Sequence, residues 1–424
     1  MQKAFDMNDW KRNIALFLGG QAVTLIGSSL VGFAIVWHVT LETQSSVVMT
    51  VFTIAAMLPM FLISPFAGAW ADRFNRKYLI NIADASIAIV TLIIALCFTF
   101  GINNLELLFV CTIIRSFGQG IQMPAVNALV AQITPEEHLI RVNGISGGIQ
   151  SLSQLGAPAL AGALLTYAEL YAILYIDVVT AIIGISILFF LVKIPIKSAK
   201  EKAMQSKNSY FDDIKSGLRY ISNHQFLKRL FIISALFNIL LTPAMLLSPL
   251  QVVRDFGPDV WRLTAVEMTF SIGMLCGGIT IALWAGFKNK TMTMIMGTII
   301  FGIVTIGLGV MNNFILYLCC MIMAGLAIPI VSTPSTTILQ TKVANEYLGR
   351  GMSALVMISS VTIPFGMLIF GPLGDRVAID YLMIGTGIGT IILGLYLIFD
   401  KVLIEAGNIG EEKEETELTA SSSI

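Results

Sequence analysis

The sequence predicts an all-α integral membrane protein of twelve transmembrane helices, arranged as two pseudo-symmetric six-helix bundles. Three observations carry this. Only 12% of the 424 residues are charged and 56% are hydrophobic, with a mean hydropathy of +0.83, against roughly a quarter charged in an average soluble domain. So few charges cannot cover a water-soluble surface of this size, which excludes soluble globular, disordered and nucleic-acid-binding classes. The apolar residues also fall into twelve blocks, each near the roughly 20 residues that a helix needs to cross about 30 Å of hydrocarbon. Finally, the basic residues are sided: 22 of the 26 Lys and Arg lie in alternate connections.

In chain order the spans lie at approximately 13–37, 47–70, 78–100, 106–131, 143–166, 169–192, 227–253, 263–287, 291–311, 314–340, 352–373 and 380–399. Several contain proline, such as Pro124, Pro158, Pro243 and Pro329, which marks bends where neighbouring helices satisfy the freed carbonyls. An inside N-terminus places Lys3, Lys11, Arg12, Arg73, Arg76, Lys77, Arg141 and the nine cations from Lys193 to Arg229 on the cytoplasmic side. The same side receives Lys288, Lys290, Lys342, Arg350, Lys401 and Lys413, leaving Arg254, Arg262 and Arg376 outside and Arg115 within a span. This excess predicts a multi-pass protein of the cell membrane with both termini cytoplasmic. The first span follows a basic leader and lacks a small-residue cleavage site, so it reads as a retained helix rather than a signal peptide.

The longest polar break divides the chain into residues 1–192, an N-terminal bundle; 193–226, a cytoplasmic linker; 227–400, a C-terminal bundle; and 401–424, an acidic tail expected to be disordered. Phe211, Ile214, Leu218 and Ile221 recur at helical spacing, which predicts an amphipathic helix at the end of the linker. The halves read as copies. A shift of 210 residues places Pro124 on Pro334, Glu136 on Glu346 and Gly68 on Gly278, the pattern of a duplicated unit.

The chemistry of most enzymes is missing. The five cysteines fall in apolar spans without disulfide or metal spacing, no Gly-Lys pair exists to build an ATP-binding loop, and His38, His138 and His224 are scattered. No cofactor or metal is predicted, and a partner ATPase or accessory protein leaves no trace in the sequence. Gly385-x-Gly387-x-Gly389 lies inside the last span and reads as a packing motif.

Between the second and third spans stands Gly68-Ala-Trp-Ala-Asp72-Arg73-Phe-Asn-Arg76-Lys77, which resembles the G-x-x-x-D-R-x-x-R-K signature of the major facilitator superfamily at every defining position. A glycine one turn before the aspartate permits close approach of another helix, whose N-terminus favours the carboxylate. The resemblance implies a major facilitator fold and a latch on the cytoplasmic side made of Gly68, Asp72, Arg73, Arg76 and Lys77, of which Arg76 and Lys77 read equally as positive-inside anchors. The matching place in the second half has only Trp284-Ala-Gly-Phe-Lys288-Asn-Lys290, a degenerate or absent latch. Asn8-Asp-Trp10-Lys11, Gly20-Gln21-Ala-Val23, Arg115-Ser-Phe-Gly, Glu169-Leu-x-Ala-Ile and Glu346-Tyr-Leu-Gly-Arg350 are similar to the macrolide-efflux and siderophore-export branch. Glycine and proline in the fifth span, including Gly144, Gly148, Gly156 and Pro158, resemble a motif of drug:proton antiporters.

That likeness implies a secondary transporter exporting small amphipathic organic compounds against protons, and not an enzyme. Export of a siderophore or another metabolite stays open as the alternative, followed by import or a non-transporting membrane receptor. A charge at mid-depth is costly unless it meets water or a partner, so the candidates for proton coupling are Arg115, Asp177, Glu267 and Asp84, with Asp177 a possible partner of Arg115. Candidates for lining the substrate cavity are Gln21, Gln122, Gln150, Gln154, Asn238 and Thr336 among polar residues, and Phe33, Phe237, Met245 and Phe270 among apolar ones. Methionine and phenylalanine suit bulky, variable ligands.

Overall fold

The computed structural model of the chain describes residues 10–193, 224–343 and 345–408. Its first half contains α1 (Trp10–Thr43), α2 (Ser46–Arg73), α3 (Arg76–Thr99), α4 (Leu105–Ile133), α5 (Leu139–Tyr167) and α6 (Leu170–Ser186), the last continued by a π-turn over Ile187–Leu191. The second half contains α7 (Gln225–Leu246), α8 (Ser248–Phe256), α9 (Val260–Trp284), α10 (Lys290–Val310), α11 (Phe314–Lys342), α12 (Asn345–Gly374), α13 (Ile379–Phe399) and α14 (Lys401–Gly407). Among the described residues the only β-type pairing is a bridge between Asn289 and Asn408.

With α7 and α8 taken as one span, α1–α13 supply the twelve predicted crossings. Ten are long and apolar enough to cross a membrane by length and hydropathy alone. The remaining two, α4 and α5, are each 29 residues long. They hold Arg115, Gln119 and Gln122, and Gln150 and Gln154, respectively, which dilute the apolar signal without shortening the helix. The predicted continuity of the seventh span is broken at Leu247, yet its amide still donates to the Pro243 carbonyl at 2.8 Å. Pro249 stands at the start of α8, where an amide is not needed.

Short connections are closed by the same device in both halves. Asn75 accepts from the Lys77 amide before α3, and Asn289 accepts from Thr291 and Met292 before α10. Asn104 accepts from Glu106 before α4, and Asn313 accepts from Ile315 and Leu316 before α11. Each satisfies amides that the first helical turn leaves open.

The described residues cluster into two compact units. The first holds 10–44, 51–193 and 259–264; the second holds 45–50, 224–258, 265–343 and 345–408. Phe17, Ile80, Leu129, Ile133 and Leu188 fill the core of the first, and Phe237, Phe301, Ala327, Leu397 and Leu403 that of the second. The amphipathic helix expected around Phe211–Ile221 and the acidic tail beyond Asn408 lie outside the described residues. The tail's expected beginning is corrected at 401–407, which form α14. Asp400 caps this helix by accepting from the Leu403 amide and pairs with Arg229 at 2.7 Å, while Leu403 is fully buried and its carbonyl accepts from the Thr291 hydroxyl.

Where lipid gives no hydrophobic drive between helices, close packing of small residues holds them together. The second unit does this at the crossing of α10 and α13: a Cβ at Gly387 would lie 2.7 Å from the Gly302 carbonyl oxygen, and one at Gly302 would lie 2.8 Å from that of Gly387. Gly385 faces open space. Gly387→Ala should therefore destabilise the purified protein by about 1–3 kcal/mol, the range for overpacking, and lower its thermal unfolding midpoint. Gly385→Ala should leave that midpoint unchanged.

Candidate functional site

Arg115 and Asp177 form a direct ion pair in the first unit, with 5% and 1% exposure. The guanidinium also donates to the Thr91 hydroxyl and, at 3.4 Å, to the Ser28 carbonyl. The second carboxylate oxygen accepts from the Ser28 hydroxyl at 3.2 Å. The pair therefore ties α1, α3, α4 and α6 together, and both Asp177 oxygens are engaged. Asp84, on α3, accepts from Gln122 at 2.6 Å through one oxygen. Its other oxygen, and both polar atoms of Asn81 one turn earlier, are buried without a hydrogen-bond partner. Asn81 was legible only as an amide within an apolar span.

Glu267 sits on α9 in the second unit, on the wall of a cavity of about 90 Å³ shared with Met245, Ser248, Phe270, Phe301 and Met321. None of the hydrogen bonds or ion pairs of the described residues involves it, so a lone carboxylate faces apolar and sulfur-bearing side chains and the Ser248 hydroxyl, which donates to the Ala244 carbonyl. This space suits water rather than a drug-sized molecule. Nearby, Gln251 donates to the Leu308 carbonyl and to Asp380, and accepts from the fully buried Tyr317 hydroxyl at 3.1 Å. Sequence reasoning passed over this triad because its members are 66 and 129 residues apart; the signal available was a glutamine and a tyrosine inside apolar spans.

The cavity candidates separate. Met245 and Phe270 line the Glu267 pocket. Phe237 is 8% exposed and packs edge-on against Phe301 in the core of the second unit, with ring centroids 5.6 Å apart. Gln122 is held by Asp84, and Asn238 donates to the Ser359 hydroxyl at 3.0 Å. Thr336 donates to the Ser332 carbonyl of its own helix at 3.0 Å. Phe33 leans on Trp37, Gln21 is half-buried, and Gln150 and Gln154 are exposed on one face of α5.

In the loop motif, Arg76 and Lys77 do more than mark the cytoplasmic side. Arg76 donates to the Ala71 and Ala128 carbonyls and to Gln132, gripping the last turn of α4, where the helix dipole favours a cation. Lys77 donates to the Val192 carbonyl at 2.8 Å and lies over the Phe189 ring. Arg73 is exposed. No described atom lies within 4 Å of a Cβ built at Gly68. The Asp72 side chain lies outside what is described.

The family profile described as Major Facilitator Superfamily matches residues 17–367. Macrolide efflux protein A of Streptococcus pyogenes is 28% identical over 382 residues, covering 90% of this chain and 94% of that protein. The staphyloferrin A transporter of Staphylococcus aureus is 20% identical, covering 93% and 98%. Among solved structures, the nucleoside transporter NupG superposes with a TM-score of 0.70 at 15% identity over 92% of this chain and 98% of its own. A bacterial homologue of the lysosomal transporter Spinster gives 0.70 at 12% identity over 95% and 98%.

Removing one member of a buried ion pair strands the other and typically costs about 3–5 kcal/mol. Arg115→Leu should therefore lower the thermal midpoint sharply, and Arg115→Leu combined with Asp177→Leu should recover most of the loss. A pair needed for transport rather than for packing would show no transport activity in the stable double variant.

Proposed function

The chain belongs to the Major Facilitator Superfamily, and from that premise we propose that it is a proton-driven exporter of amphipathic organic compounds, macrolide or similar drugs, with both termini cytoplasmic. As a member of that family it is a multi-pass membrane transporter and not an enzyme. The observation that carries the coupling is Glu267, a lone carboxylate in a pocket of methionine and phenylalanine. A carboxylate that meets water in one state and apolar side chains in another takes up and releases a proton as its surroundings alternate. Asp177 is spent on Arg115, so it is the weaker candidate, and Asp84 with its open oxygen is the second.

Similarity along 94% of macrolide efflux protein A supports drug export. The likeness to the staphyloferrin A transporter supports the second reading, export of a siderophore or another metabolite. The loop motif from Gly68 to Lys77 is proposed as the latch of the cytoplasmic side, acting through Asp72.

Inverted membrane vesicles offered a panel of macrolides, lipophilic cations and siderophores test both direction and coupling. For at least one compound, uptake should fall about tenfold when the pH gradient is collapsed, a change of about 1.4 kcal/mol in the driving step. Glu267→Gln should carry the same compound slowly and without response to the gradient, whereas Glu267→Asp should keep part of that response. Asp72→Asn should slow uptake without abolishing its dependence on the gradient. Uptake indifferent to the gradient and to Glu267→Gln would overturn the coupling.

A further inference from the structure

The G-x-x-x-D-R sequence of Gly68–Arg73 occurs a second time, as Gly371-Pro-Leu-Gly374-Asp375-Arg376. The first copy ends α2. The second ends α12 and, within the second unit, meets the opposite end of α2, its first turn. The Asp375 carboxylate accepts from the Ser46 amide at 2.8 Å, the Val47 amide at 3.1 Å and the Ser45 hydroxyl at 2.6 Å. Arg254 closes the arrangement, donating to the carboxylate and to the Gly374 carbonyl, each at 2.8 Å. The carboxylate thus adds to the cap that Ser45 gives α2, whose hydroxyl accepts from the Val48 amide only at 3.4 Å, at the helix end where aligned dipoles favour a negative charge.

The glycines of this copy are also used. A Cβ at Gly371 would lie 1.9 Å from the Thr50 hydroxyl, and one at Gly374 would lie 2.9 Å from that of Ser46. The Ser46 hydroxyl donates to the Gly371 carbonyl at 2.5 Å. Ser46 and Thr50 are 0% and 3% exposed. The two copies are therefore in opposite conditions: Gly68 faces open space, whereas Gly371 and Gly374 are covered by helix α2. Burial alone would raise the Asp375 carboxyl, but the hydrogen bonds from Ser45, Ser46, Val47 and Arg254 outweigh it and hold it below the usual carboxylate range.

We infer that Asp375 and Arg254 form a releasable clasp on the first turn of α2, the counterpart of the Gly68–Lys77 latch at the far end of that helix, and that this clasp opens in each transport cycle. The inference rests on the proposed transport, taken as alternating access by movement of the two halves, but not on what is carried. Only the turn 45–50 groups with the second unit, while the rest of α2 belongs to the first. Movement between the halves therefore has to release this turn from α12 or break α2 at Thr50.

Thiol labelling tests the clasp without any substrate. In a background lacking the five native cysteines, Thr50→Cys is exposed to a membrane-impermeant maleimide in intact cells and in inverted vesicles. Labelling should be slow compared with Val51→Cys, an exposed neighbour, and should occur from the face that bears Asp375. Adding Asp375→Ala should speed it about tenfold, the population shift expected when a contact holding one state is lost. Ser45→Ala, which removes the hydroxyl's bond to the carboxylate and its long contact with the Val48 amide but keeps the carboxylate, should speed it by a smaller factor and serves if Asp375→Ala does not fold. Equal labelling rates with and without these changes in a monodisperse protein would overturn the clasp, as would Thr50→Cys reacting as fast as Val51→Cys from the start. Failure of drug export in the vesicle panel would leave these rates unaffected.

Discussion

A charge placed inside hydrocarbon has to be met by the protein itself, and the internal order of each unit follows from that constraint. Arg115, on α4, is buried, so three other helices are arranged around it: α6 brings Asp177, α3 brings Thr91, and α1 brings Ser28. The second unit uses a neutral equivalent, with Gln251 gathering Leu308, Tyr317 and Asp380 from three other helices. At the membrane edges the same residue types act as fasteners, Arg229 on Asp400 and Arg254 on Asp375. Beside these pairings stand the open groups: one oxygen of Asp84 and the amide of Asn81, and Glu267, which among the described residues has a pocket but no partner.

Most of the architecture was legible because a bilayer imposes a length and a polarity rule on every helix. Twelve apolar blocks gave twelve crossings even for α4 and α5, whose glutamines and arginine weaken the hydropathy signal. The loop motif gave the family before any coordinates. What could not be read was facing. Phe237 and Phe270 have the same composition and comparable depth, yet one packs into the core and the other lines the Glu267 cavity. A period of 3.6 shows nothing when a helix is apolar all round. Pairing was legible only in part: depth in the membrane offered Asp177 as a possible partner of Arg115, 62 residues away, but nothing local connects Gln122 to Asp84, 38 residues away.

The degenerate or absent latch of the second half illustrates a subtler limit. At the position displaced by a constant shift, between α9 and α10, Lys288 and Lys290 remain without an aspartate. The copy of the motif lies instead at the end of α12, and its role became visible only when Asp375 was seen capping α2. Sequence repeats mark what was duplicated, whereas the contacts a motif makes depend on which helix end its neighbour presents.

The backbone crossing at Gly302 and Gly387 has a mechanical consequence. Side chains can adjust their rotamers to absorb a small displacement, but two backbones in contact have no such slack. Bending of α10 is transmitted directly to α13, and the two helices respond as one strut. Flexibility in this unit is left to segments that carry prolines and breaks, such as α7 and α8 around Leu247, which border the Glu267 cavity. Stiffness at the one place and pliancy at the other divide the unit into a frame and a working surface.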